Sequence, residues 1–166
     1  ADPGILAMIG AAERLGMVVV IDPSPVSFPS YRPDCMRTVI EKHPNLRLVV
    51  CHMGLPYPGM KQNAEHYRKW REMIALCDNP NVYLDLAAIP DLFVEENFPY
   101  AGAMELLHEV YDRYGAGRFI WGSDIPGTFM TATYVQMVQA FERLPFLTEA
   151  DKDKMFYKNA DGLYFA

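Results

Sequence analysis

The chain has 166 residues, of which 51% are hydrophobic and 22% are charged, and this composition excludes an intrinsically disordered segment. The formal net charge of −6 argues against a nucleic-acid partner, because proteins that bind phosphates normally show a basic surface. No apolar run approaches the roughly 20 residues needed to span a bilayer, so we predict one cytoplasmic domain over residues 1–166 with no membrane partner. The three cysteines, Cys35, Cys51 and Cys77, are irregularly spaced and show neither a disulfide framework nor a zinc-binding CxxC pair.

In the first half of the chain, short β-branched runs alternate with helical patterns, which predicts βαβ units and a parallel sheet. A helix over residues 4–15 precedes a strand over 17–21, whose residues are all apolar, as in a strand covered on both faces. The loop over 23–33 contains four prolines and is predicted to be irregular. The pattern then repeats with a helix, a strand and a helix over residues 34–43, 46–51 and 62–77.

The second half of the chain continues the alternation. Its predicted elements are a strand over 82–86, a helix over 102–114, a strand over 118–121, a helix over 130–143 and a last helix from Thr148. Asp151 lies at the capping-box position of that last helix, and residues 87–101 are predicted to be irregular. The strands begin about 30–36 residues apart, so each matches one strand–helix unit, and four such units make half of an eight-stranded barrel of about 250 residues.

Three of the predicted strands lead into side chains that bind metals or move protons. Asp22 follows the first strand, His52 follows the second, and Asp124 lies just beyond the fourth. In barrels and open α/β sheets the chemistry lies at the carboxyl ends of the strands, so these side chains are predicted to converge at one rim. Each also has a structural alternative, with Asp22 and Asp124 as turn formers and His52 as a buried core histidine. Asp85, within the third strand, is a further candidate because a carboxylate there needs a partner or a place at the rim.

Four segments together resemble one known family. They are residues 43–54 (HPNLRLVVCHMG), 81–86 (NVYLDL), 117–126 (GRFIWGSDIP) and the pair Asn159–Ala160. In order and spacing they resemble the amidohydrolase-related family, in the amidohydrolase 2 branch that includes aromatic-acid decarboxylases and lactone hydrolases. The resemblance extends over nearly the whole chain. It implies an α/β fold that is a partial (β/α)8 TIM barrel, corresponding to about the last four β/α units.

The resemblance also implies a cofactor, a divalent metal that is often zinc. It implies that His52 binds this metal or polarises a substrate oxygen, and that Asp124 is a metal ligand and a proton-transfer group. A bound metal lowers the pKa of its water toward about 7, and a carboxylate beside it can accept the proton as the water attacks.

Two departures from the family pattern bear on the metal. The chain contains no His-x-His pair, which in the family supplies two ligands from the first strand of the barrel. Where metal-binding members have a histidine after the fifth strand, this chain has Asp22, which can ligate a metal through oxygen. This difference shifts the expectation toward the lactone-hydrolysing members that work without metal. We expect the chain, which starts without Met, to be a piece of a longer barrel that associates with the missing amino-terminal half or forms a homo-oligomer.

The leading functional hypothesis is an enzyme that hydrolyses a small carboxylated or cyclic ester or amide of the lactone type. His52 would be ligand or electrophile and Asp124 the general base, and the 166-residue chain alone is expected to be inactive. The alternatives are non-oxidative decarboxylation of an aromatic or enoic acid at the same site, and a non-catalytic half-barrel. For a carboxylate on the small-molecule substrate, the proline-rich loop offers Arg32 and Tyr31, with a solvent-exposed arginine as the structural alternative.

Overall fold

Four parallel strands form one sheet at the centre of the molecule, in the order β1-β2-β3-β4. The computed structural model describes residues 2–165, so Ala1 and Ala166, which the single-domain prediction includes, lie outside the described residues. The strands are β1 Val18–Ile21, β2 Arg47–Val50, β3 Val82–Asp85 and β4 Phe119–Ile120. Each neighbouring pair is parallel, and Val49 of β2 lies opposite Val20 of β1 and Tyr83 of β3. The predicted parallel sheet is therefore confirmed.

Helices precede, connect and follow these strands. They are α1 Pro3–Arg14, α2 Pro33–Lys42, α3 Ala64–Ile74, α4 Ile89–Leu92, α5 Ala101–Tyr114, α6 Tyr134–Glu142, α7 Glu149–Asp153 and α8 Asn159–Tyr164. A π-helical stretch over Lys154–Lys158 joins α7 to α8. The sequence does not predict the short α4, and α6 begins later than residue 130 because Gly127–Met130 forms a separate 3-10 turn. Among residues 2–165, no helix has both the length and the apolar character that a membrane crossing requires.

Side-chain hydrogen bonds fix where several helices begin. Asp2 accepts from the first backbone N–H groups of α1, Gly4 N at 2.8 Å and Ile5 N at 3.3 Å. Thr148 and Asp151 form the capping box that the sequence predicts, with Asp151 N donating to Thr148 Oγ1 at 3.2 Å. These contacts satisfy backbone donors that have no partner inside a helix.

The two faces of the sheet are covered by different parts of the chain. On the outer face, Leu84 belongs to the main apolar cluster, which also contains Trp70 of α3. On the inner face, Val49 and Ile120 pack with Leu163 of α8 in a second, smaller cluster. The helix at the end of the chain thus covers the inner face of the sheet, a contact that no periodicity in the sequence predicts.

β1 is covered less than the other strands. It has β2 as its neighbour on one side, and Val20 is 51% exposed. The apolar clusters include or contact Val18, Val19 and Ile21 but not Val20. The expectation that the first strand is covered on both faces is therefore wrong at Val20 for the part of the chain that the structure describes, because the inner-face cluster reaches Val18 but not Val20.

Candidate active site

The predicted site residues lie at one edge of the sheet, where the four parallel strands end. Asp22 follows β1, His52 lies in the turn after β2, Asp85 is the last residue of β3, and Asp124 lies in the loop after β4. The side chains of Asp22 and Asp124 are exposed, whereas those of His52 and Asp85 are half-buried. Parallel strands place their carboxyl ends together, so these residues share one edge of the sheet, and their roles in catalysis or metal binding stay predictions.

A left-handed turn directly after β2 orients His52. His52 and Met53 have φ angles of 56° and 50°, a region in which residues other than glycine are strained. Trp70 Nε1 donates to Met53 O at 2.8 Å, and the Tyr31 hydroxyl donates to Gly54 O at 2.9 Å. Both donors are buried, so two hydrogen bonds from the core hold the strained backbone in place.

The His52 ring is oriented by the chain that follows β3. Its Nδ1 lies 3.2 Å from Ala87 O. A carbonyl oxygen can only accept a hydrogen bond, so Nδ1 carries a proton in this contact. Nε2 is therefore the ring nitrogen that remains for a substrate atom, a proton or a metal.

Ala87 connects three of the strand ends. Its carbonyl accepts from His52, and its N–H donates to Asp85 Oδ1. A Cβ added to Gly122, after β4, would lie 3.1 Å from Ala87 Cβ and 3.6 Å from Asp85 Oδ1. A side chain at this position would crowd the contact, so the glycine lets the segment that leads to Asp124 pass close to the end of β3.

The negative charges of the strand-end carboxylates act on neighbouring groups at this edge. Burial raises the pKa of Asp85, and the negative charges of Asp124 and Asp22 add to the increase, although the Ala87 N–H and His52 oppose it. Burial raises the pKa of Cys51 to about 12, again with contributions from the Asp85, Asp22 and Asp124 carboxylates. The three carboxylates are thus close enough to influence the same groups, and Cys51 remains a thiol.

The loop after β4 holds Asp124 in an unusual backbone conformation. Its φ is 54°, and a Cβ on Gly127 would lie 3.6 Å from Asp124 Oδ2 and 3.9 Å from Asp91 Oδ2. Asp91 belongs to α4 and is not singled out by the sequence analysis, because it lies in a segment without a periodic pattern. The contact with the loop after β4 is visible only in three dimensions.

The structure does not assemble the predicted metal ligands into a metal site. Among residues 2–165, no three His, Cys, Asp or Glu side chains lie close enough together to hold a metal ion. His52, Asp22 and Asp124 therefore do not fit a zinc ion or another divalent metal by themselves. Their role as ligands stays a prediction that needs donors from outside the described residues.

The two predicted substrate contacts already have partners within the chain. Tyr31 is buried, which raises the pKa of its phenol, and its hydroxyl donates a hydrogen bond to Gly54 O. Arg32 is exposed and its Nη2 lies 2.6 Å from Asp34 Oδ2, which lowers the pKa of that carboxyl to about 2. Tyr31 thus stabilises the turn that carries Met53 and Gly54, and a substrate contact by either residue stays a prediction.

Solved structures show the same fold with low sequence identity. A Burkholderia multivorans amidohydrolase, solved with bound HEPES, has a TM-score of 0.83 and 18% identity, and the match covers 98% of this chain and 58% of that one. The same protein has also been solved with bound zinc. A probable 2-pyrone-4,6-dicarboxylic acid hydrolase from Acinetobacter baumannii has a TM-score of 0.76 and 16% identity, with coverage of 98% and 57%. A 2,6-dihydroxybenzoate decarboxylase from Rhizobium has a TM-score of 0.61 and 17% identity, with coverage of 98% and 55%.

The extent of the matches and one family model identify the part of the barrel that this chain covers and the family to which it belongs. No curated protein matches the chain. The chain spans 58% of the first solved structure, which together with the parallel four-stranded sheet confirms the predicted partial (β/α)8 barrel. The amidohydrolase family model matches residues 2–166. The chain therefore belongs to the amidohydrolase family.

Proposed function

We propose that the chain supplies the carboxyl-terminal half of a barrel enzyme that hydrolyses a small carboxylated or cyclic ester or amide, with a lactone as the model substrate. The observation that carries the proposal is the meeting of His52, Asp85 and Gly122 at Ala87, on the edge of the sheet where (β/α)8 enzymes keep their chemistry. The name of the A. baumannii neighbour, a probable pyrone dicarboxylic acid hydrolase, supports the substrate class.

His52 is proposed to act on the substrate carbonyl through Nε2. Because Nδ1 is bound to Ala87 O, the ring cannot rotate to offer that nitrogen without losing a hydrogen bond. In its protonated form the ring donates from Nε2 to the carbonyl oxygen and stabilises the negative charge that develops there as the carbonyl carbon is attacked. In its neutral form Nε2 accepts a proton.

Asp124 is proposed to be the general base. Its exposed carboxylate takes a proton from a water molecule as the water oxygen attacks the carbonyl carbon. The tetrahedral intermediate then loses its ring or leaving oxygen, which receives the proton from Asp124. This step needs a water molecule and the two side chains and nothing else from the chain.

The exposed part of β1 is proposed to contact the rest of the barrel. Val20 is 51% exposed on an edge strand, and an apolar open edge is rarely left bare in a native protein. The matched structures extend well beyond the region that this chain covers. The partner we propose is the amino-terminal half of the same barrel, with a second copy of this chain as the other possible outcome.

A second candidate function is non-oxidative decarboxylation of an aromatic or enoic acid at the same site. Asp85 favours it, because burial raises the pKa of this carboxyl at the edge of the sheet, which makes it a second candidate, besides Asp124, to carry the proton that replaces the lost carboxyl group. The Rhizobium neighbour is named as a decarboxylase of an aromatic acid.

The test measures turnover by the full-length polypeptide that contains this chain. The substrates are 2-pyrone-4,6-dicarboxylate, followed by loss of its ring absorbance, and 2,6-dihydroxybenzoate, followed by release of carbon dioxide. Asp124→Asn is expected to lower kcat for the hydrolysed substrate by about a hundredfold or more with the circular dichroism spectrum unchanged. The matched control is Glu142→Gln, an exposed carboxylate at the end of α6.

Each outcome decides between the candidates. Hydrolysis of the pyrone that depends on Asp124 supports the hydrolase, and carbon dioxide release alone supports the decarboxylase. Wild-type activity in Asp124→Asn overturns the role of Asp124. A folded wild-type protein that turns over neither compound overturns the proposed chemistry and favours a non-catalytic role for this half of the barrel.

A further inference from the structure

The short helix α4 contacts the loop that follows β4. Thr128 Oγ1 donates to Asp91 Oδ2 at 3.3 Å, and Thr131 Oγ1 donates to Asp91 Oδ1. Thr128 is completely buried, so its hydroxyl depends on partners inside the protein. One carboxylate therefore binds two hydroxyls of the neighbouring loop, one on each oxygen.

The segment that Asp91 holds is continuous with Asp124. Thr128 N donates to Asp124 O at 3.2 Å, and Ala132 N donates to Thr128 O at 2.9 Å. Asp124 itself has a φ of 54°, which a residue with a side chain keeps only where its surroundings stabilise it. The turn over residues 127–131 thus supplies the contacts on one side of the strained residue.

The two carboxylates border the same glycine. A Cβ on Gly127 would lie 3.6 Å from Asp124 Oδ2 and 3.9 Å from Asp91 Oδ2. We propose that Asp91 is a positioning residue, whose carboxylate anchors the turn over residues 127–131 and so keeps Asp124 at the carboxyl edge of the sheet. The inference deepens the proposed function, because it rests on Asp124 as the reacting group.

A carboxylate suits this position better than an amide does. Both threonine hydroxyls donate to it, and a carboxylate offers two accepting oxygens where asparagine offers one. Thr131 Oγ1 also lies 3.1 Å from Thr128 O, so its hydroxyl has another acceptor to turn to when the bond with Asp91 is weakened. Asp91→Asn keeps the size of the side chain and is therefore expected to loosen the turn without unfolding the protein.

The first test measures the turn directly and does not require activity. Amide hydrogen exchange is followed by NMR in the full-length protein, in the wild type, in Asp91→Asn and in the control Glu95→Gln. Glu95 is an exposed carboxylate in the same segment. We expect the Thr128 and Ala132 amides to exchange at least several-fold faster in Asp91→Asn alone. Unchanged exchange at both amides would overturn the anchoring role, whatever the fate of the proposed function.

The second test asks whether the anchoring reaches the chemistry. With the substrate that Asp124→Asn fails to turn over, Asp91→Asn is expected to lower kcat by about 10- to 100-fold and to leave KM nearly unchanged. Thr131→Ser keeps the hydroxyl and should retain kcat, whereas Thr131→Val should lower it. Faster exchange with an unchanged kcat, or an equal loss in Glu95→Gln, would overturn the positioning role while leaving the separate result for Asp124 intact.

Discussion

Strands β1 and β2 are both short, apolar and rich in valine, yet they lie in different environments. Val49 in β2 is fully buried, whereas Val20, the residue of β1 that lies directly opposite it, is 51% exposed. Val49 pairs with strands on both sides and packs with Leu163 of α8, whereas within residues 2–165 Val20 has a strand neighbour, β2, on one side only. An apolar run in the sequence therefore indicates that a strand can be buried, but it does not identify the segment that packs against that strand.

The largest predicted effect tests this difference directly. Val49→Ala removes two buried methyl groups and is expected to lower the free energy of unfolding by roughly 1.5–3 kcal/mol. Val20→Ala in a preparation of residues 1–166 should cost less than about 0.5 kcal/mol, because the side chain is already half in water. Urea denaturation measures both.

The same pair of variants tests the partner of β1. If the rest of the barrel covers β1, Val20→Ala in the full-length polypeptide should lower the free energy of unfolding almost as much as Val49→Ala does. Equal and small costs for Val20→Ala in both preparations would contradict the proposed contact. A large cost in residues 1–166 that depends on protein concentration would point to a second copy of the chain instead.

A smaller effect concerns the buried end of β3. The pKa of Asp85 is raised in the folded protein above its ordinary value of 3.8, so the folded state favours the protonated form. Protonated Asp85 therefore contributes its full stability to the fold below about pH 3.8, and this contribution is lost as the pH rises through the pKa of the folded state. Asp85→Asn keeps an oxygen that accepts from Ala87 N, so it should be more stable than the wild type at neutral pH, with the difference shrinking as the pH falls.

Thermal unfolding from acidic to neutral pH checks this dependence. The exposed Asp161→Asn is the control and should leave the pH dependence nearly unchanged. If the wild-type protein instead gained stability relative to Asp85→Asn as the pH rises, the folded state would stabilise the charged form of Asp85, which is the opposite of the expected pH dependence.

The smallest effect is expected at the loop after β1. Arg32 and Asp34 are both exposed, and ion pairs of this kind add little to stability because water and salt screen them. Arg32→Ala should leave the melting temperature unchanged and should leave KM for a carboxylated substrate within about twofold. A tenfold rise in KM would instead support the prediction that Arg32 binds the substrate carboxylate.

The sequence predicts the strands, the longer helices and the edge of the sheet at which the candidate residues lie, because these features depend on residues that are close in the chain. Alternating strand and helix patterns, with a turn after each strand, place Asp22, His52 and Asp124 at strand ends, and parallel strands must end at a common edge. The turn-forming role given as the structural alternative for Asp124 is consistent with its φ of 54°, in the left-handed region.

The sequence by itself thus determined the α/β alternation, the parallel sheet and the edge on which the candidate chemistry lies. The tertiary structure alone decided that α8 covers the inner face, that His52 Nδ1 binds Ala87 O and that Asp91 holds the loop of Asp124. The physical reason is the distance along the chain: periodicity, caps and turn residues act between near neighbours, whereas these contacts join segments whose meeting depends on how the whole sheet is packed.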